Sequence, residues 1–451
     1  MKRFLVLAIV LVVSSFSFVP QSNAANFTVN DATSLIAAIT TANTNGEADI
    51  ITLTADIDLT TAIDFTNGVN GLPSIVSDGG NSLTIEGNGF AIRRIGAATF
   101  RIMHIEVGAN VFLNDLTIEN GIANAGGFGA LGGGILTQGQ LTIDNSVFTG
   151  NVATGISGLG AGLFINTTTV AITNSTFTNN NAQGGGGGIY SYQSTLMIMG
   201  STFTNNTVGF GGGALATEGG NLTLINNTFS GNIATINGGA IDNSFNATAL
   251  MRNNTITNNT AGTRGGGIYN AFLGSITLHN NIIAGNTAPT GSQCFNDIIL
   301  SPTVITANSY NIFGTGGDSG GCPAGATDIV PAGAIGTIIS PLANNNGSTL
   351  THALPLGSPA LDAANLANCP SDDQRGVLRG FNAVGAVNSP QLGDCDIGAF
   401  EYSLDPIYAS TPIIGATVNF GSTPIGTQIT TVLEIREDTG SGALLVSLNN
   451  I

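Results

Sequence analysis

Short bursts of alternating apolar and polar residues recur along the middle of the chain: Leu141/Ile143, Val170/Ile172, Leu196/Ile198, Leu222/Leu224 and Ile276/Leu278. A period of two over so few positions predicts short strands with one buried face. Just after most of these bursts comes Phe-x-x-Asn, at Phe148/Asn151, Phe177/Asn180, Phe203/Asn206 and Phe229/Asn232, then with isoleucine at Ile256/Asn259 and Ile283/Asn286. Successive second asparagines are 29, 26, 26, 27 and 27 residues apart. A glycine cluster ending in a small or branched apolar residue follows: Gly160 to Leu163, Gly186 to Ile189, Gly211 to Ala214, Gly238 to Ile241, Gly265 to Ile268. A period this regular marks a structural unit.

Helical repeats of similar length need runs of good helix formers, which Gly-Gly-Gly and Asn-Asn would break. One turn of a parallel β-helix fits the period and the composition. Coils there stack about 4.8 Å apart, so equivalent residues lie above one another, and stacked asparagines bond amide to amide. In "LTLINNTFSGNIATINGGAI", Leu222 to Ile241, the expectation is that Leu222, Leu224 and Phe229 fill the core, Asn226 and Asn232 form rungs, and Gly238 and Gly239 turn a corner. Upstream, "DATSLIAAITTAN" reads as a short helix capped by Asp31 or Thr33, with Leu35, Ile36 and Ile39 on one side, closing the first coil. From about Ser301 the period fades.

The chain opens with two cations, an apolar run from Phe4 to Val13 and Ser-x-Ala ending at Ala24, the layout of a secretory signal peptide over 1–24. No later segment is apolar enough for a transmembrane helix. Without Lys2 and Arg3 the remaining chain has eight arginines, no lysine and 27 acids, a net charge of about −19. Such a surface is a poor partner for nucleic acid. Four cysteines, Cys294, Cys322, Cys369 and Cys395, lie in the last third. An even count in an exported chain points to disulfides; of three possible pairings, Cys294 with Cys322 and Cys369 with Cys395 close the shortest loops. No zinc spacing is present, and no cofactor is expected.

The "FTGN", "FTNN" and "FSGN" tetrapeptides, with "GGAI" and "GGGAL", resemble the FxxN and GGA(I/L) repeats of polymorphic outer membrane proteins. The flanks, "NDATSLIAAITTANTNGEADIITL", "NGSTLTHALPLGSPALDAA", "DQRGVLRG" and "CDIGAFEY", are similar to right-handed parallel β-helix proteins of the choice-of-anchor Q type with a CSLREA-like start. The resemblance spans roughly Asn26 to Tyr402. It departs at Asn346-Gly347-Ser348, where the group has Asn-Gly-Gly, and in lacking the CSLREA hexapeptide. It implies an all-β, right-handed parallel β-helix of the pectin-lyase-like kind and a secreted or surface location. The expected division is a β-helix with its N-terminal cap over 25–300, a disulfide-containing C-terminal cap region over 301–403, and a linker with a partial immunoglobulin-like module over 404–451. That module rests on "VNFGSTPIGTQITTVLEIREDTGSGALLV", which resembles choice-of-anchor D or ASH modules but is shorter than a complete sandwich.

Acids are sparse along the repeats. Asp242 with Arg252 and Arg264 on neighbouring coils is the one trio that could be catalytic or bind glycan, against isolated charges satisfied by solvent. "SDDQRG", carrying Asp372, Asp373 and Arg375, with Asp394, Asp396 and Glu401, reads as a salt-bridged, disulfide-tied cap rather than a metal site. "GFGALG", Gly127 to Gly132, matches GxGxxG without a helix start to receive a pyrophosphate. His104, His279 and His352 form no recognisable triad spacing. The expected function is a secreted or surface β-helix acting as a non-catalytic adhesin or stalk toward extracellular glycan or another surface; a polysaccharide lyase or glycoside hydrolase is the alternative.

Overall fold

A computed structural model describes residues 25–155, 157–298, 302–380 and 395–402. The segments read above as a signal peptide and as an immunoglobulin-like module lie outside them. The described chain is a right-handed parallel β-solenoid of about 11 turns. One turn runs Ile135–Thr137, Gln140–Asp144, Val147–Thr149 and Val152–Ala153 before the next begins at Leu163. The first two strands belong to one long sheet of 17 strands, the third to a sheet of 10 and the fourth to a sheet of six, all parallel. Register is exact from turn to turn: Leu141 lies beside Val170, then Leu196, Leu222, Ala249 and Ile276. Phe148, Phe177, Phe203 and Phe229 stack at 4.6, 5.0 and 4.8 Å between centroids, fully buried.

The corners explain the Asn and Gly content. Asn145, Asn174, Gly200, Asn226, Asn253 and Asn280 take φ between 45° and 62° at the end of the long sheet, a left-handed conformation that these two residue types tolerate best. Asn226 is therefore a corner, not the rung expected of it; the rung is its neighbour Asn227. Two ladders run down the interior. In one, each Nδ2 donates to the next side-chain oxygen through Asn151, Asn180, Asn206, Asn232, Asn259 and Asn286 at 2.8–3.0 Å, ending on Gln293 Oε1. In the other, Ser146, Ser175 and Ser201 hand over to Asn227, Asn254, Asn281 and Asn311, and Asp328 accepts the last bond.

At the N-terminal end, Ala32–Ala42 is helical, with a capping box between Asp31 and Ser34, and it buries Leu35 and Ile39 in the solenoid core. Past Ser301 a further turn is present, Val304–Thr306 and Ile312–Phe313, with Phe313 buried in the main core. The cysteines pair as Cys294–Cys322 and Cys369–Cys395. Residues 340–380 and 395–402 then run back along the outside of the Phe-bearing sheet. Gln374 reaches Thr202, Thr228 and Thr349, Asn226 donates to the Asp372 carbonyl, and Asn280 bonds Asn365 in both directions. Ile338, Leu354, Ile397 and Phe400 form a second core there with Ile282 and Ala284. Among the described residues no helix is long and apolar enough to cross a membrane.

Candidate functional site

The outward positions of the long sheet form columns as strict as those inside. One column reads Phe164, Tyr190, Ala216, Asp242, Tyr269, Phe295 across five register pairs. Beside it runs Leu159, Gly185, Gly211, Asn237, Arg264. Where Ala216 and the two glycines coincide, the surface sinks into a groove of about 430 Å³. Its lining carries five aromatic residues, Tyr190, Phe210, Phe245, Tyr269 and Phe272, and two acids, Glu218 and Asp242. Phe245 and Phe272 stack at 4.6 Å, and Phe210 and Phe245 remain 52% and 49% exposed, an unusual display for large apolar rings.

Asp242 Oδ1 accepts from Ser244 Oγ at 2.5 Å. Its Oδ2 lies against the Gly211 backbone so closely that a Cβ there would meet it at 2.2 Å, so Gly211 is what makes room for the carboxylate. Burial, reinforced by Glu218, pushes the Asp242 carboxyl up to about 7 despite the Ser244 bond. Tyr190 donates to Glu218 and Tyr269 to Asp297 at 2.9 Å; burial first and these carboxylates second push both phenols up.

The suggested trio does not converge. Asp242 lines the groove, but Arg264 in the next coil pairs with Asp297 at 2.9 Å and lies over the Phe295 ring. Arg252 sits opposite Ile225, nine residues along the strand from Ala216, the partner of Asp242, and is absent from the lining. Sequence reasoning missed Glu218, Tyr190 and the three phenylalanines because only register reveals that they share a column or a rim.

The other candidates have structural explanations. Asp373 pairs with Arg375 at 2.7 Å and Glu401 with Arg379 at 3.1 Å, all four side chains buried; Arg375 also lies over Phe400. Asp396 accepts backbone bonds from Asp362 and Tyr402. Asp372 contributes a carbonyl to the same junction, and Asp394 is outside the described residues. No group of three or more His, Cys, Asp or Glu able to hold a metal occurs among the described residues. The Gly127–Ala130 stretch of "GFGALG" is a 3-10 turn. The Phe128, Leu131 and Gly132 carbonyls there accept from the buried Arg101 guanidinium, the opposite polarity to a phosphate cradle. Nearby, Ser74 Oγ donates to Asp64 and meets His104 Nδ1 at 2.7 Å. With its proton directed at Asp64 and the imidazole fully buried, this serine is not poised as a nucleophile. His279 meets Ser309, and His352 bridges Ser340 and Ser230.

A family model for the right handed beta helix region matches residues 59–229, and the Chlamydia polymorphic membrane protein repeat matches residues 228–244 and 255–271. Such repeats in a β-helix suggest a surface or autotransporter-like protein, and the disulfides suggest an extracellular location. No curated protein matches the chain. Among solved structures it is similar to pectate lyase Pel9A, at 15% identity and a TM-score of 0.44, over 84% of this chain and 97% of that one.

Proposed function

We propose that this protein is a surface-displayed β-helical adhesin or stalk that binds a glycan in the groove around Asp242. The carrying observation is the convergence of five aromatic rings and two carboxylates on one concavity of a rigid outer face. Sugar rings stack on exposed aromatic faces, and convergent polar groups in an apolar concavity fix orientation. The rigid stack holds those groups without loops that need ordering on binding. Titration of the full chain against a glycan panel tests the reading. Phe245→Ala and Phe272→Ala should each weaken binding by at least about tenfold; unchanged affinity in both would sink it.

A hydrolytic reading draws on one observation, that Asp242 retains its proton up to about 7 in a groove it shares with Glu218. A carboxyl kept protonated near neutral pH beside a second acid is what glycoside cleavage uses as its general acid. Release of reducing ends that disappears in Asp242→Asn would support cleavage, and no turnover across the panel would leave binding alone.

A further inference from the structure

The groove has an unbalanced charge. Glu218 and Asp242 both line it, while no arginine does, and after residue 24 the chain contains no lysine at all. Arg264 is already paired with Asp297 and stacked on Phe295. Of the two Asp242 oxygens, Oδ1 holds the Ser244 hydroxyl, and Oδ2 has no hydrogen-bond partner among the described residues. Asp242 is partly withdrawn from water, and the cost of holding a carboxylate there without a cation is relieved when one arrives. The walls of the groove are aromatic, and aromatic faces attract cations most strongly where water is partly excluded.

We infer that the groove takes an organic cation, an alkylammonium or quaternary ammonium group, with Asp242 and Glu218 as counter-ions and Phe210, Phe245 and Phe272 as walls. This rests on the reading that the groove is the ligand site and names the chemistry that it selects. A neutral sugar would stack on the same rings but leave both acids uncompensated. A uronate, sialic acid or phosphate would meet two like charges. The ammonium could arrive on a de-N-acetylated amino sugar or on a choline substituent, and the two sources are separable by experiment.

Binding should depend on pH in a defined direction. The groups facing Asp242 are Tyr190 and Glu218 on the preceding coils, Ser244 on its own strand and Tyr269 on the following one, with the Asp297–Arg264 pair beyond. The cation favours the ionised carboxylate. Affinity for a quaternary ammonium, whose charge does not titrate, should therefore fall as pH is lowered from about 8 to about 5, through the Asp242 value of about 7.

Two matched ligand pairs test the idea by calorimetry on the full chain: choline against its neutral isostere 3,3-dimethylbutanol, and glucosamine oligomers against N-acetylglucosamine oligomers. At least one charged member should bind about tenfold or more tighter than its neutral partner, and the pair that shows the preference identifies the source. Asp242→Asn and Glu218→Gln, both near-isosteric, should each erase the preference while leaving the circular dichroism unchanged. Equal affinity within both pairs overturns the inference, as does a preference that survives in both variants. If neutral oligomers bind and lose affinity in Phe245→Ala, the glycan reading stands and only the cation assignment fails; if nothing binds, both fail.

Discussion

Each inner-ladder asparagine engages both amide atoms, so the cost of replacing one is set by what it leaves behind. Asn232 Oδ1 accepts from the backbone and side chain of Asn206, while its Nδ2 donates to the Phe203 carbonyl and to Asn259. Asn232→Ala strands donors and acceptors on the two flanking coils, all shut away from water. We expect a loss of about 3 kcal/mol or more in urea denaturation; a loss below about 1 kcal/mol would mean that water had entered the ladder. Asn226→Gly should cost less, since glycine keeps the left-handed corner at φ 53° and sacrifices only the contacts to Asp372 and Arg379. The Phe-x-x-Asn rungs were legible because the spacing isolates one asparagine per coil. In Asn226-Asn227 the corner and the rung are adjacent and identical in type, so composition could not separate them. Arg101 escaped notice altogether: nothing about a lone arginine within "FRIMHIEV" says that its guanidinium will be held by carbonyls from the following coil.

The returning segment along the Phe-bearing sheet is held by groups whose titration opposes itself. Burial, with the Glu401 charge nearby, raises the Asp396 carboxyl to about 8, and burial, with Asp373 nearby, raises the Glu401 carboxyl above its ordinary range despite Arg379. The stabilisation that this gives is full below the unfolded value and is lost as pH rises through about 8. His352, buried between Ser340 and Ser230, is depressed instead, so its share is present above about 6.5 and is lost as pH falls. His352 offsets at most one of the two carboxyls below about 6.5 and neither above it, so docking of the segment should weaken as pH rises through about 8. Limited proteolysis within residues 340–380 should accelerate on that side; a flat profile, or one that accelerates only on acidification, would contradict the assignment. The strands of the repeats were readable from alternation because each buries one face against an identical neighbour. The returning segment has no such partner in sequence. In the sequence it shows only as the salt-bridged, disulfide-tied cap around "SDDQRG"; that it lies over Thr202, Thr228 and Thr255, polar and outward on their strands yet buried, is visible only in the structure.

At the scale of the molecule the solenoid is additive, since each coil contacts chiefly the ones above and below. The groove could not be foreseen at this scale, because it depends on which residues of different coils fall into one outward column and on Ala216 lying between Tyr190 and Asp242. Additivity does predict the outcome of removing a coil. Deleting residues 145–173 joins Asp144 to Asn174 and should leave a folded, shorter protein, because Ser175 and Asn180 can take the places of Ser146 and Asn151. Deleting 227–253 should lower the melting temperature far more, although it removes a repeat of similar length. The reason lies in the returning segment, whose anchor points at Gly200, Thr228, Asn253 and Asn280 are distributed along the axis. It acts as a gauge rod fixed to the stack at set intervals. Copy number is free to drift on the N-terminal side of Gly200 and is metered beyond it, so lineages carrying longer or shorter forms should differ in the coils that the rod does not touch.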